Sequence, residues 1–296
     1  MNAMSSLITR PTLLLAAACL ALGGCGTQHQ MVESFGVAEL TGPMAVRVHN
    51  ASGSVRIEVD ETLPEATIET EIFTSESLNK EELQALVDAI NVETALDAAT
   101  GNHVLDVRTT SAMEDMEHAI NVSISLPRCD GVFVDNRDGE VHLYRTSGAT
   151  TVRNRGGVIT LRTDKTVTDP VTLTNVDGNI YMLMPPDSTG AIDLVSLDGD
   201  LSYKATGNTT TVGGYLTDET FTATMNGGTN PIICRTNSGD VWLRPRTDPL
   251  AYKPPNYVPF VKIAKKGMFT GGTRRWTLRQ PEETAGPAPE LIGMDE

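Results

Sequence analysis

Four aspartates lie beside glycines at recurring positions of the chain and are its best candidates for acid–base chemistry: Asp138, Asp177, Asp198 and Asp240. Enzymes that cleave sugar polymers need two carboxylates at a defined separation, or an acid and a base that converge on the sugar. Asp198 and Asp240 are the pair that comes nearest to this requirement. Aspartate next to glycine is also the usual composition of a tight turn. We therefore predict turns at these positions and no catalytic residues.

Metal and nucleophile chemistry lack a supporting pattern. A calcium ladder along the stacked aspartates would need several oxygen ligands for each ion, and the glycine-rich nonapeptide that supplies them in calcium-binding β-rolls does not occur. The five histidines show no metal-ligand spacing, and Met113, Met116 and His118 are typical of a solvated loop more than of a copper site. The sequence contains no GxSxG, HExxH or phosphate-loop pattern. It predicts no metal and no cofactor.

Cys25 is the residue whose surroundings indicate a covalent modification. Residues 1–24 contain Arg10, a short apolar run and two final glycines, the order of an export signal that is too short to span a bilayer. The LGGC sequence at 22–25 is similar to the bacterial lipoprotein box, in which the chain is cut before the cysteine and the thiol is lipidated. We predict a lipid-anchored envelope protein, with Gly26 favouring the outer membrane. The alternative is an ordinary cleaved signal.

The charge balance limits the partners. Lys and Arg number 23 against 38 Asp and Glu, so the net charge is −15, which argues against a nucleic-acid role. The predicted Pro-rich basic extension at 246–280 is the exception, and its cations include Lys262, Lys265, Lys266, Arg274 and Arg275. These cations are candidates for contact with an anionic surface, such as lipid headgroups or an acidic glycan. The alternative is a closing hairpin with solvated charges. Residues 281–296 are predicted to be disordered.

A repeat of about twenty residues runs through the second half of the chain. Each copy has two apolar positions, a turn that usually contains Asn, Asp and Gly, and two further apolar positions. The copies start at 132, 150, 171, 192, 212 and 232. The fifth is degenerate, with Glu219 where glycine is expected. Each copy predicts two strands joined by a tight turn, because glycine reaches positive φ freely and Asn or Asp bonds to the local backbone.

Two architectures could use this pattern. In a β-solenoid each copy is one coil, and equivalent strands stack in parallel about 4.8 Å apart around an apolar column. In an antiparallel sandwich the same strands would form hairpins. The even period and the constant phase of the turn favour a parallel solenoid over 128–245. Its column would contain Val141, Ile159, Ile180 and Leu201.

The solenoid also predicts the state of the two remaining cysteines. Cys129 lies at the entry to the first coil, and Cys234 is an inward position of the sixth. The first and the sixth coils of a sequential stack would lie roughly 24 Å apart, whereas a disulfide needs Cα atoms within about 7 Å. We predict two free thiols.

The region before the repeats predicts a cap. Residues 25–39 show no periodicity and are predicted to be a tether. Residues 40–127 are predicted to form a β-rich N-terminal cap with one helix at 79–91, begun by a capping box at Asn79 and Glu82. One early copy of the template, at Val46 to Ile57, is predicted to belong to a different layer, because almost ninety residues separate it from the array.

The recurring turns resemble a known bacterial family of unknown function whose members are named as proposed adhesins. The segments that carry the resemblance are SGSVRIEV, RDGEVHLYR, RGGVITLRT, VDGNIYMLM, LDGDLSYKA and SGDVWLRP, together with the strand INVSISLP. The resemblance covers about residues 40–245. It implies an all-β fold of right-handed β-helix-like repeats and a surface-exposed binding or scaffolding role without known catalysis. It supplies no site residues.

Three functions are compatible with these features. The first is a non-catalytic, adhesin-like envelope lipoprotein that presents its β-surface to a glycan, another envelope protein or a surface. The second is a carbohydrate-active β-helix enzyme, a lyase or hydrolase of polysaccharide. The third is an envelope-stress or assembly factor with a protein partner, which the sequence does not separate from the first.

Overall fold

The computed structural model describes residues 27–35, 44–74, 78–97, 103–112 and 118–252, which form nineteen strands and one helix. The first seven strands are β1 (Thr27–Phe35), β2 (Met44–Asn50), β3 (Val55–Val59), β4 (Ala66–Thr74), β5 (Ile90–Asp97), β6 (His103–Ser111) and β7 (His118–Leu126), with helix α1 (Lys80–Ala89) between β4 and β5. The next six are β8 (Gly131–Asp138), β9 (Val141–Tyr144), β10 (Ala149–Gly156), β11 (Ile159–Arg162), β12 (Val171–Thr174) and β13 (Ile180–Met184). The last six are β14 (Gly190–Asp198), β15 (Leu201–Tyr203), β16 (Thr211–Leu216), β17 (Thr220–Met225), β18 (Pro231–Ser238) and β19 (Val241–Pro245).

The strands form two sheets. Sheet A has the order β1-β4-β7-β3-β9-β11-β13-β19-β15, and sheet B has the order β16-β17-β14-β18-β12-β10-β8-β2-β6-β5. In each coil, one strand of sheet B is followed in the chain by one strand of sheet A. Along the stack the coils are β6/β7, β2/β3, β8/β9, β10/β11, β12/β13, β18/β19 and β14/β15. Neighbouring coils pair in parallel, as expected for a solenoid.

A continuous apolar column fills the space between the sheets. Val141 pairs with Ile159 and Ile159 with Ile180, and Leu201 joins the same column through Val241, which lies between it and Ile180. The first three of these residues have no exposed surface. The alternation of inward apolar and outward polar residues in the repeats therefore predicts the parallel solenoid correctly.

The order of the coils differs from the order of the repeats. The sixth copy, β18/β19, lies between the third and the fourth, because β18 pairs with both β12 and β14. The connection at 185–189 has to pass one intervening coil, a distance of about 10 Å. Five extended residues can span roughly 17 Å, so the chain permits this order as readily as the sequential one.

The fifth copy is not a coil. Strands β16 and β17 form an antiparallel hairpin, and β17 pairs antiparallel with β14 at the end of sheet B. Its turn is held by Thr217, whose backbone N–H donates to the carbonyl oxygen of Thr220 and whose hydroxyl oxygen accepts from the backbone N–H of the same residue. Glu219 replaces the glycine that stacks against the next coil elsewhere, so this copy folds back instead of continuing the stack.

The early copy belongs to the same stack, contrary to the prediction of a separate layer. Val46 of β2 pairs with Leu105 on one side and Val132 on the other. Strands β6 and β7 form a further coil beyond it. The copy is distant in sequence from the array because β4, α1 and β5 come between β3 and the strands that follow in the stack. Distance along the sequence therefore does not determine which coils stack on each other.

The N-terminal end of the stack is closed by antiparallel strands and the helix. Strand β4 pairs with β7 in sheet A, and β5 pairs with β6 in sheet B. The predicted capping box is confirmed: the Asn79 side chain accepts from the backbone N–H of Glu82, and the Glu82 carboxylate accepts from that of Asn79, both at 2.9 Å. The helix ends at Ala89, two residues before the predicted end, because β5 begins at Ile90. A second small core beside it contains Ile72, Leu86, Ile90 and Ile120.

Part of the predicted tether is a strand. Thr27–Phe35 forms β1 and pairs antiparallel with β4 along its whole length. Pairing with an exposed edge is driven by backbone hydrogen bonds, so it needs no apolar period in the added strand. Residues 1–26 and 36–43 lie outside the described residues.

The prediction of two free thiols is confirmed, although the argument used for it was partly wrong. Cys129 and Cys234 are both free and buried. Cys234 stacks on Leu173 in the neighbouring coil. Three strand spacings, about 14 Å, separate it from Val134 in the first coil, and not the full height that the sequential order implies.

Candidate ligand-binding surface

A column of glycines forms the turn from sheet B to sheet A in six coils. All have φ between +95° and +156°, a range that L side chains rarely adopt, and they are Gly53, Gly139, Gly157, Gly178, Gly239 and Gly199 in stacking order. A Cβ atom added to Gly157 would lie 2.5 Å from the carbonyl oxygen of Gly139. Glycine is therefore required here by conformation and by contact with the coil below.

A ladder of buried polar side chains runs beside the glycines. The Asn50 amide donates to Asn136 and the Asn136 amide to Asn154, each at 3.0 Å. Asn154 then donates to the carbonyl oxygens of Gly139 and Gly156, at 3.0 and 2.7 Å. Thr109 continues this ladder at one end, and Asn175, Thr236 and Ser196 occupy the same position in the other coils. This ladder of hydrogen bonds holds the backbone from which the neighbouring outward side chains extend.

The sequence pattern identifies these asparagines as turn residues but misses their inward direction. Each lies two residues after the second apolar inward position of its coil, as Asn154 follows Val152. Since side chains alternate along a strand, that spacing was the available signal.

A shallow cleft of about 450 Å³ opens above this ladder on the outer face of sheet B. We call it the sheet B groove. It is lined by His49, Asn50, Ala51, Thr109, Asp135, Asn136, Arg137, Arg153, Asn154 and Arg155. Ala51 occupies the position that Arg137 and Arg155 occupy in the next two coils on one side.

The groove concentrates positive charge on an acidic protein. Three arginines and a histidine line it, against the single carboxylate of Asp135. Asp135 lies 3.9 Å from Nδ1 of His49, and Arg137 lies 3.7 Å from Asp138 at the rim. Within the part of the chain that the structure describes, Arg153 and Arg155 form no ion pair, and both side chains are exposed.

An aromatic ring lies next to these charges. Phe133 points outward from β8 and is half-buried, with the His49 ring centroid at 5.4 Å and the Arg153 guanidinium at 5.9 Å from its own centroid. Both distances fall within the range of aromatic and cation–π contact. The groove therefore combines cationic donors, one acceptor and an apolar flat surface.

Other arginines on the same face are neutralised. Arg47 and Arg108 both contact Asp106, and the hydrogen bonds that Arg108 donates to the Asp106 carboxylate raise the pKa of Arg108. Arg235 forms an ion pair with Asp193. The unpaired positive charge of sheet B is thus localised at the groove.

The central part of the outer face of sheet A is buried, and Thr160, Arg162 and Tyr181 lie there. Residues 246–252 follow β19 back across it, and the guanidinium of buried Arg162 donates to the backbone carbonyl oxygens of Pro249 and Leu250. The Arg246 guanidinium lies 4.3 Å from the centroid of the Tyr252 ring. Burial lowers the pKa of Arg244 on the same face. The centre of this face is buried, whereas the face of sheet B is open at the groove.

The four aspartates considered from the sequence do not form one ladder. Asp138 and Asp177 occupy the same row but are separated by Gly156, and Ser238 separates Asp177 from Asp198. Asp240 lies after the turn, where its carboxylate accepts from the backbone N–H of Asp200 at 3.0 Å. No group of three His, Cys, Asp or Glu side chains that could hold a metal ion occurs among the described residues.

The other predicted site residues lie outside the described residues. They are Cys25, Lys262, Lys265, Lys266, Arg274 and Arg275. Across the residues that are described, no helix has the length and apolar character needed to cross a membrane.

The stacked coils, the two sheets and the glycine turns define a two-sheet parallel β-solenoid protein. Its sequence matches the profile of the Toastrack DUF4097 family over residues 46–244, and the chain belongs to this family of unknown function. The resemblance inferred from the recurring turns is thereby confirmed.

A solved structure shares this fold at low sequence identity, and two further solved structures match with lower TM-scores. A proposed cell adhesion protein from Clostridium sporogenes superposes with a TM-score of 0.52 and 9% identity, over 74% of this chain and 100% of that one. Two proposed adhesins, from Bacteroides fragilis and Parabacteroides merdae, match 73% and 77% of this chain and 97% of each of theirs, with identities of 8% and 7% and TM-scores of 0.26 and 0.25. No curated protein matches the chain in sequence.

Proposed function

We propose that the protein is a non-catalytic, adhesin-like lipoprotein of the bacterial cell envelope that binds its ligand on the outer face of sheet B. One observation carries the proposal: the outer face of sheet A is buried over its central strands β9, β11 and β13, whereas sheet B presents an open, cationic groove. Rigid parallel coils position such a groove without the need for a separate binding domain. The solved structure of a proposed cell adhesion protein with the same fold supports this role.

The binding role is tested with the intact protein and with a deletion strain. Glycan arrays, capture of envelope extracts and the adhesion of the strain should each be compared with controls. We expect a specific ligand in at least one of the first two measurements and reduced adhesion of the deletion strain. If all three equal their controls, the proposal is wrong.

Anchoring through Cys25 is part of the proposal, and the LGGC sequence supports it. Several acyl chains on one residue would hold the protein firmly, because each buried methylene contributes about 0.8 kcal/mol. Cells fed an alkyne-labelled fatty acid should incorporate it into the wild-type protein and not into Cys25→Ser. Incorporation into that variant would refute lipidation at this residue, and fractionation of the two membranes tests the outer-membrane assignment.

The enzymatic alternative depends on Asp198 and Asp240. The hydrogen bond from Asp200 to the Asp240 carboxylate accounts for Asp240 as a turn residue. We expect no depolymerisation of uronate-containing polymers by the purified protein. Cleavage that is lost in Asp198→Asn or Asp240→Asn would replace the binding proposal with a catalytic one.

A further inference from the structure

Two arginines of the sheet B groove are placed side by side, and one of them has no counter-charge among the described residues. Strands β8 and β10 pair in parallel with Asn136 opposite Asn154 and Asp138 opposite Gly156. Arg137 and Arg155 occupy the position between these pairs and are therefore direct neighbours across the two strands. Like charges in that arrangement repel each other. Arg137 has Asp138 at 3.7 Å, but Arg155 has no acidic partner among the described residues.

Arg153 adds a third guanidinium two residues before Arg155 on the same face of β10. A planar guanidinium can donate two parallel hydrogen bonds to one carboxylate, which makes it suited to anions that are held in a fixed orientation. The three side chains thus form a cluster of donors in which Arg153 lies opposite Asp135 and Arg155 lies opposite Arg137. A bound anion would relieve the repulsion between Arg137 and Arg155.

Asp135 in the groove and Phe133 beside it distinguish between classes of anion. The Phe133 ring offers a flat apolar surface beside Arg153. This surface can pack against the C–H face of a sugar ring, whereas a bare phosphate has no apolar face to pack against it. The Asp135 carboxylate can accept hydrogen bonds from sugar hydroxyls, whereas it would repel a densely charged phosphate chain. Sparse carboxylates on a polyhydroxylated backbone fit both groups.

We propose that the sheet B groove binds an acidic polysaccharide that carries uronate carboxylates. Arg153 and Arg155 hold carboxylates, Phe133 packs against a sugar ring, and Asp135 accepts from sugar hydroxyls. This inference rests on the proposed binding function and adds the chemical class of the ligand.

The first measurement is a calorimetric titration of the full chain, solubilised in detergent, with oligogalacturonate and with a neutral oligogalactan of equal length. We expect the charged oligomer to bind and the neutral one not to bind. Affinity for the charged oligomer should fall as salt is raised, because the contacts are between charges near the surface.

The second measurement uses a matched pair of variants. Arg153→Gln with Arg155→Gln removes two positive charges from the groove, and we expect binding to weaken at least about tenfold through loss of charge-assisted hydrogen bonds. Arg145→Gln with Lys204→Gln removes the same charge at exposed positions outside the groove and should change the affinity less than about twofold. Unfolding temperatures confirm that both variants are folded. Equal affinities of the two variants would overturn the assignment to the groove.

A third measurement separates a uronate from a phosphate ligand. Phe133→Leu removes the aromatic face, and we expect it to weaken oligogalacturonate binding and to leave competition by inorganic phosphate unchanged. If polyphosphate binds more tightly than oligogalacturonate and Phe133→Leu changes neither, the uronate assignment is wrong.

These results also distinguish this inference from the proposed function. If the wild-type protein binds no uronate oligomer but captures a neutral glycan or an envelope protein through sheet B, only the ligand class is refuted. If it binds nothing on that face, both proposals fail.

Discussion

Gly157 has a positive φ and a close contact with the backbone of Gly139, and a residue with a Cβ atom would be unfavourable on both counts. Its φ is +95°, and a Cβ atom would lie 2.5 Å from the carbonyl oxygen of Gly139. Gly213 in the hairpin is a natural control, because its φ is +71° but no atom lies within 4 Å of an added Cβ. The two positions share the conformational requirement and differ in packing.

We expect Gly157→Ala to be more destabilising than Gly213→Ala. Positive φ costs an alanine about 1–2 kcal/mol at either position, and the clash with Gly139 adds to this at the first. Each 1 kcal/mol corresponds to roughly 2–4 °C in a domain of this size. Thermal unfolding followed by circular dichroism should therefore give the lower Tm for Gly157→Ala. Equal Tm values would show that glycine is required in the column only for its positive φ and not for its contact with the neighbouring coil.

The buried thiols make stability depend on pH. Burial raises the pKa of both Cys129 and Cys234 from 9.0 to about 12. A folded-state pKa above the unfolded one means that the thiols stabilise the folded state fully below pH 9. This contribution is lost as the pH rises from about 9 towards 12, because the unfolded chain then releases protons that the folded chain retains.

We expect the unfolding free energy to fall between pH 9 and 11, and to fall less steeply in Cys234→Val. Valine is a close fit, since Val152 and Val134 occupy equivalent inward positions of other coils. Denaturant titrations at several pH values measure the slope. At pH 8 iodoacetamide should modify neither thiol until denaturant is added, and mass spectrometry identifies the site. Rapid modification of folded protein would contradict the burial.

The residue types along the chain predicted where the turns lie, but they did not predict which residues line the groove. Glycine beside Asn or Asp indicates a tight turn wherever it occurs, so the sequence alone gave Gly139 and Gly157 their role. The groove requires Ala51 to lie beside Arg137 and Arg155. These residues come from three coils and meet only through strand pairing, which a reading of local patterns does not determine.

The coil β18/β19 can be placed experimentally by a disulfide. Leu173 and Cys234 are paired inward residues of adjacent parallel strands, where backbones lie about 4.8 Å apart. That spacing is compatible with a disulfide, which tolerates Cα separations of roughly 4.4–6.8 Å. In a sequential stack, two further coils would separate these residues.

We expect Leu173→Cys to form a disulfide with Cys234 under mild oxidation. Val152→Cys is the matched control, because Val152 is one coil further away and about 10 Å from Cys234. Peptide mapping under non-reducing conditions should detect the cross-link in the first variant and not in the second. A cross-link in neither would indicate a different coil order.

The length of the repeat predicted the number of residues in a coil, but it did not predict which coils lie next to each other in the stack. Val171, Ile192 and Ile232 are equivalent inward residues of β12, β14 and β18, and any of these strands could stack on another with the same contacts. The non-sequential order depends on where the chain turns back. The hairpin of β16 and β17 closes the end of sheet B before the last repeat is made, and a degenerate repeat was the only local sign of it.

At the scale of the whole molecule, the two faces of the solenoid differ, and residues 246–252 contact the outer face of sheet A at Arg162. Arg162 is 5% exposed and donates to the backbone of this segment. Without these acceptors a buried guanidinium loses hydrogen bonds to a charged group, which are worth about 1.5–3 kcal/mol.

We expect a chain that ends at Pro245 to be less stable than one that ends at Tyr252, by about 2–3 kcal/mol. Adding Arg162→Leu should recover part of this loss in the shorter chain and none in the longer one. Chemical denaturation of the four proteins provides the comparison. Equal stability of the two truncated chains would show that the segment does not hold Arg162.

The position of β18/β19 between β12/β13 and β14/β15 has a consequence for biosynthesis. Residues 231–245 are made after both neighbours, so the stack cannot grow coil by coil behind the emerging chain. A slot has to stay open until the last strands arrive, with Leu173 and Leu194 facing it from either side. The same slot has room for the equivalent segment of a second copy, so we expect domain swapping when half-made chains are crowded.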